Sequence, residues 1–235
     1  MRRYYNTTTL AMIILMIFIA MRGFNGSIKD WIFRQIIALP GIVIGLSFHE
    51  FAHAVVAYKL GDMTPKIQGR VTVNPIAHID PFGFATLFLA GFGWGRAVEI
   101  NPYNFKHRKR DELLVSFAGV TMNLIIAFVF ALIIKLMYSS GIAVSTNEPL
   151  HVIAMMLQYG ILVNIILMIF NLLPIPPLDG FNLVTQIFRL DKYSWWYQFY
   201  RLGTFILLGL ILLNVLDIVI NPLINGIFNA IMGIV

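Results

Sequence analysis

The chain has 235 residues, 59% of them hydrophobic and only 12% charged, with a mean hydropathy of +0.80 and a formal net charge of +6. Soluble domains carry about 25% charged residues, so the composition excludes an ordinary soluble domain and points to a chain that crosses a bilayer repeatedly. There is no cysteine, which excludes a disulfide framework and thiolate metal ligands.

In chain order, a first span is predicted over Tyr5–Phe24. It follows Arg2 and Arg3, but Ile19-Ala20-Met21 lacks the small-residue pattern of a signal-peptide cleavage site. It is therefore expected to be retained. The second span, Trp31–Tyr58, carries Gly41 and Gly45, a G-x-x-x-G pair that lets a neighbouring backbone approach closely. Gly61–Phe105 is rich in Gly and Pro and breaks into short pieces. Arg70–Pro75 and Ala97–Pro102 alternate like strands, and each closes on Asn-Pro, which withholds a ladder donor. Pro81–Trp94 is apolar but, at about 14 residues, too short to cross a bilayer as a helix. A re-entrant path is expected for it, buried in protein or lining a wet cavity.

The third span is predicted over Glu112–Tyr138 and the fourth over His151–Leu173, ending at Pro174-Ile175-Pro176-Pro177. Arg189–Arg201, with Trp195, Trp196, Tyr197 and Tyr200, has the composition of an interfacial belt. A fifth span, Leu202–Ile220, is expected to break at Asn221-Pro222, with the apolar tail to Val235 returning to the membrane surface or packing on the bundle. The expected fold is an all-α polytopic membrane protein of about five to six transmembrane helices with a short re-entrant, β-hairpin-like insertion. It forms one domain, residues 1–235. The basic residues Arg2-Arg3, Lys59–Arg70, Lys106–Arg110 and Arg189–Arg201 fall on one side of five spans, which places that side in the cytoplasm. These clusters abut apolar spans, so anionic lipid headgroups are the expected partner and nucleic acid is not.

The chemistry concentrates at Ser47-Phe48-His49-Glu50-Phe51-Ala52-His53, inside the second span. H-E-x-x-H on a helix sets His49 and His53 at i and i+4, on one face, where their ring nitrogens can share one Zn²⁺. Glu50 sits one residue on, placed to take a proton from a metal-activated water. Charged groups in mid-membrane cost roughly 2.5–3.5 kcal/mol each, so a cluster without a use is disfavoured. Zinc needs a further protein ligand. The extension H-E-x-x-H-x-x-G-x-x-H fails here, because Val56 and Lys59 stand at its Gly and His positions. His78 and Asp80 are the nearest downstream candidates. Asp179 is the stronger one: it follows a proline-broken span end and precedes Gly180. A helix-capping aspartate is the alternative for it.

His49-Glu50-x-x-His53 together with Asn171-Leu172-Leu173-Pro174-Ile175-Pro176-Pro177-Leu178-Asp179-Gly180 resembles the site-2 protease family of intramembrane zinc metalloproteases, in its small subgroup without PDZ or CBS domains. The resemblance covers nearly the whole chain, with a catalytic core over about 31–190. It implies that His49, His53 and Asp179 bind zinc, that Glu50 is the catalytic base, and that the substrates are transmembrane segments of other proteins. Ala118-Gly119-Val120-Thr121-Met122-Asn123 is similar to the family's A-G-P-x-x-N, with Val120 where the pattern has Pro. Asn123 is then a second catalytic candidate, binding the substrate carbonyl or the oxyanion, or else making a helix–helix hydrogen bond. Asn74-Pro75-x-x-His78-x-Asp80-Pro81-x-Gly83 also resembles the family, in an architectural role. The expected setting is a multi-pass protein of a prokaryotic cell membrane, its active site toward the cytoplasm. An inactive relative that binds transmembrane partners, or a cation transporter, are the competing readings. Glu50 speaks against the first, since zinc binding does not need it. The scarcity of acidic and His residues on other spans speaks against the second.

Overall fold

The computed structural model describes residues 27–90, 93–140 and 147–235, and the first span predicted over Tyr5–Phe24 lies outside them. Helix α1, Ile28–Lys59, opens at Ser27, whose hydroxyl accepts the Lys29 N–H at 3.2 Å. Asp30 in its first turn and Lys59 in its last complement the helix dipole. Its 32 residues make about 48 Å of helix, longer than the roughly 30 Å hydrocarbon layer. At least one end therefore leaves the apolar zone.

Short helices follow: α2 at Thr64–Ile67, α3 at Pro75–His78 and α4 at Pro81–Ala90. The two Asn-Pro pairs act alike. Asn74 caps α3 by accepting the Ile76 N–H, and Asn101 caps a 3₁₀ turn, Pro102–Asn104, by accepting the Tyr103 N–H, each with Pro at the first helical position. Among the described residues no β-ladder forms, contrary to the strand-like alternation of Arg70–Pro75 and Ala97–Pro102. Side-chain bonds near the starts of the two stretches link the regions instead: Gln68 Nε2, just before the first, donates to Glu99 Oε2 at 2.6 Å, and Arg70 Nη2 donates to the carbonyl of Arg96, just before the second.

Within Pro81–Trp94, helix α4 is 10 residues long, too short to cross a bilayer. After α4 the chain doubles back, so that a Cβ placed on Gly83 would lie 2.0 Å from the Trp94 carbonyl oxygen. Only glycine admits that approach.

Helix α5, Arg108–Ser139, and helix α6, Glu148–Asn171, pack with α1 and with each other. Gly41 and Gly45 of α1 meet Gly160 and Asn164 of α6, so those two helices run parallel and α5 runs antiparallel between them in sequence. A Cβ on Gly41 would lie 2.6 Å from Gly160 Cα, which is the close approach the G-x-x-x-G spacing predicts. Helix α7, Asp179–Phe188, packs on α5. Helix α8, Ser194–Leu212, carries the aromatic belt, and α9 is Val215–Ile234. Four helices among the described residues are long and apolar enough to cross a membrane: α1, α5, α6 and α9.

The break predicted at Asn221-Pro222 lies instead at Leu213–Asn214. Asn214 adopts φ 54°, a left-handed turn that asparagine tolerates better than most residues. Pro222 sits inside α9, which carries on because Leu216, Ile220 and Ile231 bury against the bundle.

Candidate metal centre

One stripe of α1, residues 41, 45, 49 and 53, has the i, i+4 spacing that stacks side chains on a single face. Opposite it lies a matching stripe of α5, Val115, Gly119 and Asn123. His53 Nδ1 lies 2.7 Å from the Val115 carbonyl, and His49 Nδ1 lies 2.6 Å from Asn123 Oδ1. Both histidines are buried, at 5% and 6% exposure.

These outer contacts decide where the ring protons sit. Asn164 Nδ2 donates to the Gly160 carbonyl at 2.8 Å, which leaves Asn164 Oδ1 as an acceptor. Asn123 Nδ2 donates to that oxygen at 2.9 Å and to the Gly45 carbonyl at 3.2 Å. Asn123 Oδ1 is therefore an acceptor too, and His49 Nδ1–H must donate to it. The Val115 carbonyl likewise requires Nδ1–H on His53. Both Nε2 atoms are then unprotonated in the neutral rings, and they face each other at 3.0 Å.

Asp179 Oδ2 completes the group, 3.2 Å from His49 Nε2 and 3.1 Å from His53 Nε2, with no hydrogen bond made to it. Three electron-pair donors so close together repel unless a cation lies among them. Donors bound to zinc at 2.0–2.1 Å sit roughly 3.3 Å apart at the corners of a tetrahedron, close to the three observed edges. Two imidazoles and a carboxylate suit Zn²⁺, so the residues present fit the ion. Among the described residues this is the one such group of potential ligands found.

The placement of Asp179 rests on the proline-broken loop and the aromatic packing of α7. Asp179 is the first residue of that helix. A Cβ on Gly180 would lie 2.1 Å from the Leu172 carbonyl oxygen, so glycine lets the α7 start fold back on the end of α6. Phe181, 2% exposed, packs among Trp196, Phe199 and Tyr200 of α8. Trp196 Nε1 donates to Thr185 Oγ1 at 3.1 Å, and Gln186 Nε2 donates to Glu112 Oε2 of α5. These ties hold the carboxylate against α1.

Glu50 is half-buried beside the ligands, and its Oε2 accepts the Val98 N–H at 3.0 Å. The other candidates lie elsewhere. His78 is fully buried and donates from Nε2 to the Thr72 carbonyl at 2.7 Å, while Asp80 Oδ1 accepts the Gly83 N–H. Neither belongs to the ligand group. Burial pushes the His78 imidazole below its ordinary value, with the Thr72 carbonyl opposing. Burial also lowers the Arg70 guanidinium, with the Glu50 carboxylate opposing. Asn123 is fully buried, and both ends of its amide are already engaged by protein groups.

Two residues not singled out as functional from sequence shape the centre. Asn164, a polar group within an apolar span, was legible as an intramembrane polar residue. Gly119 had only its place in A-G-V-T-M-N. A Cβ there would lie 2.4 Å from His53 Nε2 and 2.7 Å from His49 Nε2. Gly119→Ala is accordingly expected to displace both rings, costing about 1–3 kcal/mol by overpacking together with zinc affinity. Thermal unfolding and metal analysis check it, and full zinc content in that variant would contradict the packing of α5 on the histidines. Asn123→Leu is expected to weaken zinc binding by about 10–100-fold, the usual effect of losing an outer partner of a metal-binding histidine. Competition with a chromogenic chelator measures it, and an unchanged affinity would detach Asn123 from His49.

The model of peptidase family M50 matches residues 37–212. The candidate zinc metalloprotease YwhC of Bacillus subtilis (strain 168) is 42% identical over 150 residues, which are 62% of this chain and 66% of YwhC. The candidate zinc metalloprotease Rip2 of Mycobacterium tuberculosis is 29% identical over 153 residues, 62% of this chain and 55% of Rip2. Rip2 of Mycolicibacterium smegmatis is 29% identical over 154 residues, 63% of this chain and 55% of its own length. The matched stretch thus spans 55–66% of these relatives. No solved structure matches the chain. Because the family match runs from within α1 to the end of α8 and takes in both motifs, the chain belongs to peptidase family M50, the site-2 protease family.

Proposed function

We propose that this chain is a zinc-dependent intramembrane endopeptidase that hydrolyses peptide bonds in the transmembrane segments of other membrane proteins. The observation that carries the reading is the convergence of two imidazole Nε2 atoms and one carboxylate oxygen beside Glu50. Bound by His49, His53 and Asp179, Zn²⁺ supplies Lewis acidity and brings the pKa of a water toward 7. Glu50 takes a proton from the attacking water and returns it to the leaving amine. The Val98 N–H holds Glu50 Oε2, which leaves Oε1 for that transfer. Asn123 serves as a positioning residue for His49, since its amide is committed to His49, Gly45 and Asn164. A substrate helix must unwind locally to reach these groups, because its carbonyls are tied up in i→i−4 bonds.

The motif lies toward the C-terminal end of α1, followed by Lys59, Lys66 and Arg70 and later by the basic run 106–110. The positive-inside bias supports an active site toward the cytoplasmic face, and the bacterial relatives support a prokaryotic membrane. The test is reconstitution of purified protein with single-span candidate substrates in lipid vesicles. Cleavage is expected within the apolar span, as mapped by mass spectrometry. It should stop on addition of a zinc chelator and resume with added Zn²⁺. Cleavage indifferent to chelation, or confined to soluble loops, refutes the reading.

A further inference from the structure

Residues 93–100 run without regular secondary structure, yet hydrogen bonds tie them down around Glu50. The Arg96 N–H donates to the His78 carbonyl at 2.7 Å. The Arg96 carbonyl accepts from Arg70 Nη2. Two residues on, the Val98 N–H donates to Glu50 Oε2 at 3.0 Å. A Cβ on Gly95 would lie 3.2 Å from the His78 carbonyl oxygen and 3.8 Å from Glu50 Oε1, so this stretch also passes beside the second carboxylate oxygen. The orientation of Glu50 therefore depends on where the 95–98 backbone is held.

Arg70 is the unexpected member of this arrangement. It is only 4% exposed, forms no ion pair among the described residues, and leaves Nη1 without a hydrogen-bond partner. Burying a guanidinium without a contact ion pair is costly, and the nearby Glu50 and Glu99 carboxylates offset only part of that cost. What the guanidinium does supply is a charge-assisted bond to a backbone carbonyl, stronger than a neutral one. Arginine suits the role because its planar, weakly hydrated head tolerates burial better than an ammonium.

We propose that Arg70 is a positioning residue for the Glu50 base, gripping the Arg96 carbonyl and so keeping the Val98 N–H on Glu50 Oε2. The proposal rests on the reading of Glu50 as the base of an endopeptidase. Arg70 acts through the 95–98 backbone and not on the metal ligands, so its loss leaves zinc in place and misdirects the carboxylate.

The experiment compares the wild type with Arg70→Met and Arg70→Lys, each purified with zinc. Hydrogen–deuterium exchange of the peptide covering 93–100 reads the grip without any catalysis. Arg70→Met should speed exchange there by about 10-fold, the worth of one charge-assisted bond, with Arg70→Lys between the two. Zinc content should equal that of the wild type. In cleavage assays Arg70→Met should lower kcat by about 10-fold or more, part of what a general base contributes, with KM within about two-fold and partial rescue by Arg70→Lys. The chain has no native cysteine, so a short bifunctional thiol reagent joining Gln68→Cys to Glu99→Cys can restrain 93–100 artificially. It should restore kcat to Arg70→Met. Unchanged exchange, or a raised KM with unchanged kcat, overturns the proposal. Wild-type protein that holds zinc and cuts nothing instead refutes the endopeptidase reading.

Discussion

Glu50→Gln is expected to lower kcat by about 10²–10⁴-fold, the usual worth of a general base, while zinc content stays at the wild-type level. The reason is geometric. Glu50 is not among the ligand atoms that converge on the metal position, which come from His49, His53 and Asp179. Its Oε2 contacts the Val98 N–H. The amide of glutamine is nearly isosteric, so the fold and the ligand group have no cause to change. What disappears is the ability to accept a proton. Cleavage of a reconstituted substrate, measured beside metal analysis of the same preparation, separates the two effects. A variant that still cuts at the wild-type rate would remove Glu50 from the chemistry. One that loses zinc as well would make it a ligand or a structural prop.

Asp179→Ala is expected to act in the opposite sense, weakening zinc binding by more than about 100-fold and abolishing cleavage with it. Losing an outer-shell partner already costs about 10–100-fold in affinity, and Asp179 supplies one of the three donor atoms itself. At a fixed free zinc concentration, a 100-fold loss of affinity also removes up to about 2.7 kcal/mol of ligand-linked stability. Zinc should therefore raise the unfolding temperature of the wild type far more than that of the variant. Asp179→Asn, which keeps the shape but not the charge, guards against mistaking a packing defect for ligand loss. If both variants retained zinc at wild-type affinity, the third ligand would have to be sought elsewhere.

Much of this architecture was legible in the sequence, for local reasons. Hydropathy over long windows marks α1, α5 and α6 because apolar length is a property of consecutive residues. The i, i+4 spacing puts His49 and His53 on one face wherever that helix goes. The strand-like alternation near Arg70 and Ala97 misled, since pairing depends on what the side chains of Gln68 and Arg70 do across the gap. The break assigned to Pro222 misled similarly. The preference of one proline was outweighed by the burial of Leu216, Ile220 and Ile231.

By itself, then, the sequence determined a membrane-embedded helical chain with a two-histidine face, an adjacent carboxylate and a distant aspartate after a proline break. Only the tertiary structure decided that Asp179 meets those histidines, that Asn123 turns inward to His49, and that Gly119 leaves room for both rings. The reason is one of range. Helical periodicity sets which residues share a face, whereas antiparallel packing of α1 on α5 and the anchoring of α7 by its aromatic neighbours set which faces meet.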